Sequence, residues 1–159
     1  MDDVPSSGPE FFDIRYAAGR MPWDYGGVQN SLKAFLNRHR GPGHVLIPGC
    51  GSGYEIEAFF STGWDVIGID YSPVGVARAR RLLGPLAHKV YEGDFFTHPL
   101  REAFFDLIYE RTFLCTLLPD VRPQYAQRLA TLIGSSSPIG DFLLVRAERY
   151  FECSNSNPV

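Results

Sequence analysis

The sequence predicts an α/β domain in which parallel strands alternate with helices. Apolar runs of strand character recur at 45–47, 64–70 and 104–110, and amphipathic helical patterns lie between them. A glycine-rich turn joins the first run to the helix that follows it, and the length of 159 residues fits a single domain. Strands that alternate with helices pair in parallel through right-handed crossovers. Their carboxyl ends, and the loops that follow them, are therefore expected to share one edge of the sheet.

The glycine turn follows the first strand, which ends at Pro48, and carries Gly49, Gly51 and Gly53. Glycine has no Cβ, so such a turn can adopt positive φ and let a ligand lie against bare backbone. The next helix presents unpaired N–H groups at its start. The Gly-x-Gly-x-Gly spacing differs from the Gly-x-Gly-x-x-Gly that holds a pyrophosphate. It favours a nucleotide-like ligand that lacks a pyrophosphate.

The segments before the first strand fall into three parts. Residues 1–10 are polar and turn-prone and are predicted to form a flexible arm. Residues 11–27 contain five aromatic residues, which admit two interpretations. They either plug the edge of the core, or form a lid whose ring faces suit a planar base or a sulfonium cation. The pattern over 29–39 predicts a helix.

The second strand ends at Asp70, 17 positions beyond Gly53, close to the interval at which an acid meets a ribose. Asp70 could instead cap the next helix, but Ser72 and Pro73 already supply a cap and a first-turn residue. That helix is predicted over 74–83, with its three arginines in solvent. Asp70 is thus left available for a ligand.

The later elements add further polar residues at strand ends. A third strand over 88–92 leads into Asp94 and Phe95, an acid and a ring that suit the amine and face of adenine. The fourth strand, over 104–110, is followed by Arg111, and a helix is predicted over 120–133. Beyond it only 141–145 has strand character. The pattern therefore predicts a sheet that is incomplete at the C-terminal end.

The composition argues against nucleic-acid binding, membrane insertion and metal binding. A net charge of −3 and an isoelectric point near 5.8 give no basic surface for nucleic acid. No apolar run approaches the length of a membrane helix, and no signal-peptide layout begins the chain, so a cytoplasmic protein without membrane contact is expected. The cysteines Cys50, Cys115 and Cys153 have no metal-ligand spacing and are expected as reduced thiols. No metal site is predicted.

Residues 11–133 resemble the class I S-adenosylmethionine-dependent methyltransferases, and more narrowly the thiopurine and thiol (thiocyanate/halide) S-methyltransferase family. The first narrow marker is Pro48 within Val-Leu-Ile-Pro-Gly-Cys-Gly, where most of the superfamily carries an acid. The second is Gly-Arg-Met-Pro-Trp-Asp at 19–24, with Tyr16 before it, which is similar to the family's N-terminal cofactor flap.

The resemblance implies a Rossmann-like class I methyltransferase sheet with helices on both faces, apparently incomplete at the C-terminus. It also implies one methyltransferase-like domain over 11–159. Within that domain, 11–27 would be the aromatic lid, 44–133 the cofactor-binding core and 134–159 a shortened C-terminal region.

The resemblance further implies a site for S-adenosylmethionine. The glycine turn would approach the methionine half, Asp70 would accept the ribose hydroxyls, Asp94 and Phe95 would hold adenine, and the lid would close over the sulfonium. Because Pro48 offers no carboxylate, backbone carbonyls would hold the methionine amino group. The expected cofactor-binding residues are Phe12, Tyr16, Trp23, Gly49, Cys50, Gly51, Gly53, Asp70, Tyr71, Asp94, Phe95 and Glu110.

Arg111 is the expected catalytic residue, because a guanidinium near the acceptor would favour a thiolate. A structural ion pair with Glu110 or Asp120 is the alternative. Two functions are carried forward. The first is a methyltransferase acting on a small thiol, sulfide, thiocyanate or halide, or thiopurine, with S-adenosylhomocysteine as product. The second, motivated by the shortened C-terminal region, is a catalytically weak or inactive S-adenosylmethionine-binding protein.

Overall fold

The computed structural model describes residues 8–134, in which helices alternate with parallel strands as predicted. A 3₁₀ helix, Gly84–Lys89, precedes the third strand. The elements in chain order are α1 (Pro9–Ala17), α2 (Asn30–Arg38), β1 (His44–Pro48), α3 (Tyr54–Ser61), β2 (Asp65–Asp70), α4 (Pro73–Leu83), β3 (Val90–Glu92), β4 (Leu107–Ile108), α5 (Phe113–Thr116) and α6 (Arg122–Leu132).

The four strands form one parallel sheet in the order β3-β2-β1-β4. Val45 in β1 is paired with Val66 in β2 and with Leu107 in β4, so β1 lies inside the sheet. Asp70, the last residue of β2, pairs with Glu92, the last residue of β3. The carboxyl ends of the strands share one edge, which confirms the predicted topology.

Apolar side chains cover both faces of the sheet. One cluster packs α2, α3 and α4 against the first face through residues such as Leu32, Phe59 and Val76. The other packs α6 against the second face, where Leu129 and Leu132 meet Ile108. The expected placement of helices on both faces is confirmed. Strands buried on both sides explain why their sequences are continuous apolar runs rather than alternating ones.

Several elements differ from prediction. Strand β3 begins two residues later than expected, because residues 88 and 89 belong to the 3₁₀ helix, and α6 is shorter than predicted by two residues at its start and one at its end. Helix α1 begins at Pro9, so residues 9 and 10, expected in the flexible arm, are helical. Strand β4 has two residues instead of seven, because the backbone before it bonds in other directions: Phe104 N–H and Phe105 N–H both donate to Leu132 O. Helix α5 was not predicted.

The backbone after α6 runs beside the outer side of β4. Phe105 and Ile133 form an isolated parallel bridge, and Gly134 N–H donates to Phe105 O at 2.9 Å. The possible strand at 141–145 lies outside the described residues, as does all of the shortened C-terminal region except Gly134.

Within residues 8–134, no helix is long and apolar enough to cross a membrane. No three His, Cys, Asp or Glu side chains of this part of the chain are grouped so that they could hold a metal ion.

Candidate functional site

The glycine turn between β1 and α3 has the predicted backbone conformation. Its three glycines have positive φ, +59° at Gly49, +52° at Gly51 and +77° at Gly53. A Cβ on Gly49 would lie 2.4 Å from Cδ2 of Phe113, so that glycine is also needed for close approach. The bare backbone of Gly49 and Gly51 forms one wall of a cavity at the carboxyl edge of the sheet.

This main cavity has a volume of about 240 Å³ and collects most of the residues that the sequence singled out. It lies between the lid segment, the glycine turn, the end of β2 and the loop that begins at Gly93. The expected site residues that line it are Phe12, Tyr16, Trp23, Gly49, Gly51, Asp70, Tyr71, Asp94 and Phe95.

Asp70 lies in the wall of the main cavity with 8 % of its surface exposed. Its Oδ2 accepts from Gly51 N–H and its Oδ1 accepts from Ser72 N–H, both at 3.0 Å. Burial raises the pKa of the carboxyl, and these backbone donors oppose the shift. Ser72 Oγ accepts from Gly75 N–H at the start of α4, so the predicted helix cap is confirmed and Asp70 is not that cap. Asp70 therefore holds the glycine turn in place and keeps further lone pairs for a ligand.

The aromatic residues of 11–27 form the opposite wall. The ring of Trp23 contacts Phe12 and Tyr16 edge-on, with centroids 5.3 and 5.7 Å apart, and Phe12 also contacts Tyr71. The Tyr16 ring lies against Gly75 of α4, where a Cβ would be 2.7 Å from Cε2, and its hydroxyl lies near Gly51. Burial raises the pKa of Tyr16, and the Asp70 carboxylate adds to the shift. The rings of Phe12, Tyr16 and Trp23 line the cavity, and Tyr16 is also buried, so the lid remains a prediction beside the core-plug interpretation.

The third wall follows β3. Asp94 Oδ1 accepts from Phe96 N–H at 2.8 Å, which leaves its other oxygen for a ligand. Phe95 is 4 % exposed and its ring contacts Phe113 and Tyr125, so it serves both the cavity and the core.

A smaller cavity of about 30 Å³ adjoins the main one. The two share Trp23, Gly49, Gly51 and Thr112 as lining residues, so a single ligand could reach into both. Thr112 adopts a left-handed conformation with φ +71°, which is uncommon for a β-branched residue. The residues that line only the smaller cavity are Asp24, Ile47, Cys50, Ser52, Tyr54, Glu55, Tyr109 and Arg111.

Arg111 lies in the smaller cavity and is held on two sides. Its Nη1 donates to the backbone oxygen of Trp23 at 3.1 Å, and its Nε lies 3.4 Å from Glu55 Oε1. The partners expected for a structural ion pair were Glu110 and Asp120, and the structure replaces them with Glu55. The reason is spatial: the first turn of α3 and the residues after β4 line the same small cavity, although Glu55 is far from Arg111 in the sequence.

Three expected site residues have other surroundings. Glu110 lines neither cavity, and its Oε1 accepts from Leu114 N–H at 2.8 Å. Gly53 also lines neither, and a Cβ on it would lie 2.9 Å from Leu83 of α4. Cys50 lines only the smaller cavity, and burial raises the pKa of its thiol, which opposes a thiolate role.

Sequence reasoning missed Asp24, Ser52, Glu55 and Tyr109. Asp24 Oδ2 accepts from Ser52 Oγ at 2.6 Å and lies 3.9 Å from Arg78 Nη2, which fastens the lid to the glycine turn. Arg78 was expected in solvent, but it faces the lid and donates to Ser52 Oγ at 3.1 Å. An acid in the first turn of a helix is common because it complements the helix dipole, so Glu55 gave no separate signal.

Comparison with known proteins relates the chain to methyltransferases. The sequence profile of the thiopurine S-methyltransferase family matches residues 7–149. A probable thiol methyltransferase 2 of Arabidopsis thaliana is 37% identical over 123 residues, which cover 74% of this chain and 54% of the relative. Thiocyanate methyltransferase 1 of Arabidopsis thaliana is 32% identical over 117 residues, covering 70% and 51%.

A bacterial relative is matched over more of its length. The thiopurine S-methyltransferase of Vibrio parahaemolyticus is 28% identical over 155 residues, which cover 86% of this chain and 69% of the relative. The chain spans only about half the length of the two plant relatives.

Solved structures show the same architecture. A protein studied for converting a disulfide bond into a thioacetal group in echinomycin biosynthesis superposes with a TM-score of 0.67 at 26% identity, covering 79% of this chain and 56% of that one. A putative S-adenosylmethionine-dependent methyltransferase of Methanococcus maripaludis has a TM-score of 0.58 at 17% identity, covering 85% and 64%. The fold of the described residues is thus the Rossmann-like methyltransferase fold.

Proposed function

This chain belongs to the thiopurine S-methyltransferase family, and from that premise we propose that it transfers a methyl group from S-adenosylmethionine to a small acceptor. The acceptor is a thiol, sulfide, thiocyanate or halide, or a thiopurine, and S-adenosylhomocysteine is the other product. Residues 11–27 would act as the lid over the cofactor-binding core at 44–133.

One observation supports the proposal above the others: the glycine turn, two aspartates and three lid aromatics line a single cavity at one sheet edge. The walls fit the cofactor. Open backbone lies at Gly49 and Gly51, and the buried Asp70 carboxylate faces the cavity with unused lone pairs. The aromatic lid faces the same space and would suit a cation.

The residues of this chain would chiefly bind the cofactor and align its methyl group with the acceptor. Asp70 would accept the ribose hydroxyls, Asp94 would accept from the adenine amine, and Phe95 would pack on the base. Trp23 and Tyr16 would exclude water from the reacting atoms. The cofactor supplies an electrophilic methyl group on a sulfonium. Displacement at that carbon needs no covalent enzyme intermediate, and alignment can contribute up to about 7–11 kcal/mol.

Arg111 would act on the acceptor side. A thiol must lose its proton before it attacks, and a nearby guanidinium lowers a thiol pKa by stabilising the thiolate. The Arg111 side chain reaches the wall common to the lid and the glycine turn, which places positive charge beside that space.

Calorimetric titration tests the cofactor. We expect heat on adding S-adenosylmethionine or S-adenosylhomocysteine to the full chain, and none on adding a nicotinamide dinucleotide. No heat of binding with either S-adenosylmethionine or S-adenosylhomocysteine would reject the proposal.

Turnover is tested separately. The chain is incubated with S-adenosylmethionine and, in parallel, sulfide, thiocyanate, iodide or a thiopurine, and S-adenosylhomocysteine is measured by mass spectrometry. Product above the acceptor-free control supports the methyltransferase. Binding without product from any acceptor would support the inactive binding protein instead.

A further inference from the structure

The smaller cavity adjoins the main cavity, in which the proposed cofactor would place its ribose against Asp70. It shares the Gly49 and Gly51 backbone with the main cavity, and its volume of about 30 Å³ suits a small polar group rather than a ring. The proposed cofactor has such a group, an amino acid with a cationic amine and an anionic carboxylate. The question is which residues of this cavity would receive it.

Glu55 has the least satisfied carboxylate of this cavity. It is 5 % exposed, and its Oε1 accepts no hydrogen bond within the described residues, although Arg111 Nε lies 3.4 Å away. Arg111 compensates the charge only in part, because a buried carboxylate oxygen that lacks a hydrogen bond is costly, so a donor that enters the cavity would be bound favourably. Burial also raises the pKa of this carboxyl, while Arg111 lowers it.

The other acid of the cavity is already engaged. Asp24 Oδ1 accepts from Gly26 N–H at 2.7 Å, and its Oδ2 accepts from Ser52 Oγ at 2.6 Å. The hydroxyl of Tyr109, also in the lining, is buried and has no hydrogen-bond partner in residues 8–134. The unmet polar atoms of the cavity therefore lie on the side of Glu55 and Tyr109.

Arg111 brings the opposite charge to the same place. A guanidinium has five N–H donors, and here one points to Trp23 O while Nε faces Glu55. The two groups lie 3.4 Å apart, so Arg111 favours the ionised form of the Glu55 carboxylate by lowering its pKa, and this is the form that binds an amine. Strand β1 ends in Pro48, which has no carboxylate to offer.

We propose that Glu55, held beside Arg111, binds the α-amino group of the cofactor's amino-acid end. The inference rests on the proposed function. It replaces the expectation that backbone carbonyls hold the amine, because Glu55 offers a carboxylate in the same cavity as the glycine turn.

The test combines two changes: Glu55→Gln removes the carboxylate charge from the protein, and a deaminated analogue removes the α-amino group from the ligand. Glu55→Gln and the unchanged chain are titrated with S-adenosylhomocysteine, with its analogue carrying hydrogen in place of the α-amino group, and with 5′-methylthioadenosine, which lacks the amino acid. The unchanged chain should prefer S-adenosylhomocysteine to the deaminated analogue by about 10–100-fold, the range for a hydrogen bond between charged groups. In Glu55→Gln that preference should nearly vanish, with 5′-methylthioadenosine binding unchanged.

Glu57→Gln is the matched control, because Glu57 lies on the same helix but is exposed. It should bind all three ligands as the unchanged chain does. Equal weakening of all three ligands by Glu55→Gln would mean that Glu55 only supports the shape of the site, and would overturn the inference.

The unchanged chain also tests the inference without any variant, should Glu55→Gln not fold. Equal affinity for S-adenosylhomocysteine and the deaminated analogue would overturn the role of Glu55 while leaving the proposed function intact. Failure of the unchanged chain to bind S-adenosylhomocysteine at all would instead reject the proposed function.

Discussion

At the scale of single residues, Asp70 has a structural task and a proposed binding task. Its two oxygens accept from Gly51 N–H and Ser72 N–H, and it also lines the main cavity. Asp70→Asn keeps the shape but replaces one acceptor oxygen with a donor. We expect S-adenosylhomocysteine affinity to fall by roughly 1–3 kcal/mol and the melting temperature to fall as well, since a buried backbone donor loses its partner. Calorimetry and thermal melting measure the two effects.

Asp65→Asn is the control, because Asp65 begins the same strand and is exposed, and the asparagine oxygen can still accept from Lys89 Nζ, whose surface ion pair contributes little. It should change neither quantity appreciably. A lowered melting temperature with unchanged affinity in Asp70→Asn would leave Asp70 with its structural task alone.

For Glu110 we predict that a substitution raises stability instead of lowering it. Burial raises the pKa of its carboxyl above 4.5, and the backbone N–H groups of Leu114 and Phe113 oppose the shift. Between the unfolded and folded pKa values the native state binds the proton more tightly, so stability falls as pH rises through that window. Glu110→Gln cannot ionise and can still accept from Leu114 N–H. Its stability relative to the unchanged chain should therefore increase from about pH 4 to pH 7.

Urea unfolding at several pH values measures this difference. A difference that shrinks as pH rises would contradict the assignment. Because Glu110 lines neither cavity, S-adenosylhomocysteine affinity should stay the same. A loss of affinity would restore the cofactor role that the family resemblance implied.

The sequence predicted which residues lie at the candidate site only where those residues are at the ends of strands. Asp70 ends one predicted strand and Asp94 follows another, and parallel pairing alone brings such residues to one edge. The contacts of Glu55 with Arg111, and of Asp24 with Ser52, join residues far apart in the chain and depend on how α3 and the lid pack. No local pattern encodes them.

At the scale of elements, polar contacts join the predicted lid, residues 11–27, to the glycine turn and to the segment that follows β4. Asp24 Oδ2 accepts from Ser52 Oγ, and Trp23 O accepts from Arg111 Nη1. Asp24→Asn weakens the first contact. We expect S-adenosylhomocysteine to dissociate roughly 5–10-fold faster, the equivalent of about 1 kcal/mol for one hydrogen bond. Stopped-flow tryptophan fluorescence can follow the release, since Trp23 lines the cavity.

Ser52→Ala removes the same contact from the other side. If the contact fastens the lid, the double variant should release the ligand no faster than the more affected single one. Effects that simply add would show that the two residues act independently.

Local pattern also explains which elements were predicted well. Helix α4 and strand β2 match their expected extents closely, because a Ser-Pro cap and a continuous apolar run mark them. Strand β4 is shorter than its apolar run, because Phe104 and Phe105 bond to Leu132 instead. Helix α5 has four residues, too few for helical periodicity to register.

At the scale of the whole molecule, stability depends on two apolar clusters, one on each face of the sheet. Leu129 of α6 is 3 % exposed and packs in the second cluster. Leu129→Ala should lower the free energy of unfolding by about 2–5 kcal/mol, because it leaves a cavity that neighbours fill only in part. Chemical denaturation measures the loss.

Leu82→Ala is the matched comparison, since Leu82 on α4 is 50 % exposed. Its effect should stay within about 0.5 kcal/mol. Equal effects of the two changes would contradict the packing of α6 on the sheet. The fold class could be predicted from the sequence because the strands are continuous apolar runs. Which residues line which of the two cavities could not be predicted, because it depends on how the elements pack.

The left-handed Thr112 sets a limit on how far this protein could be improved by engineering. It occupies a conformation that glycine tolerates far better, and it does so on the wall common to both cavities. Thr112→Gly would relieve the backbone strain and could raise stability. The same substitution would remove a side chain that lines both cavities and would change their shape. A gain in stability at this position is therefore expected to alter ligand binding.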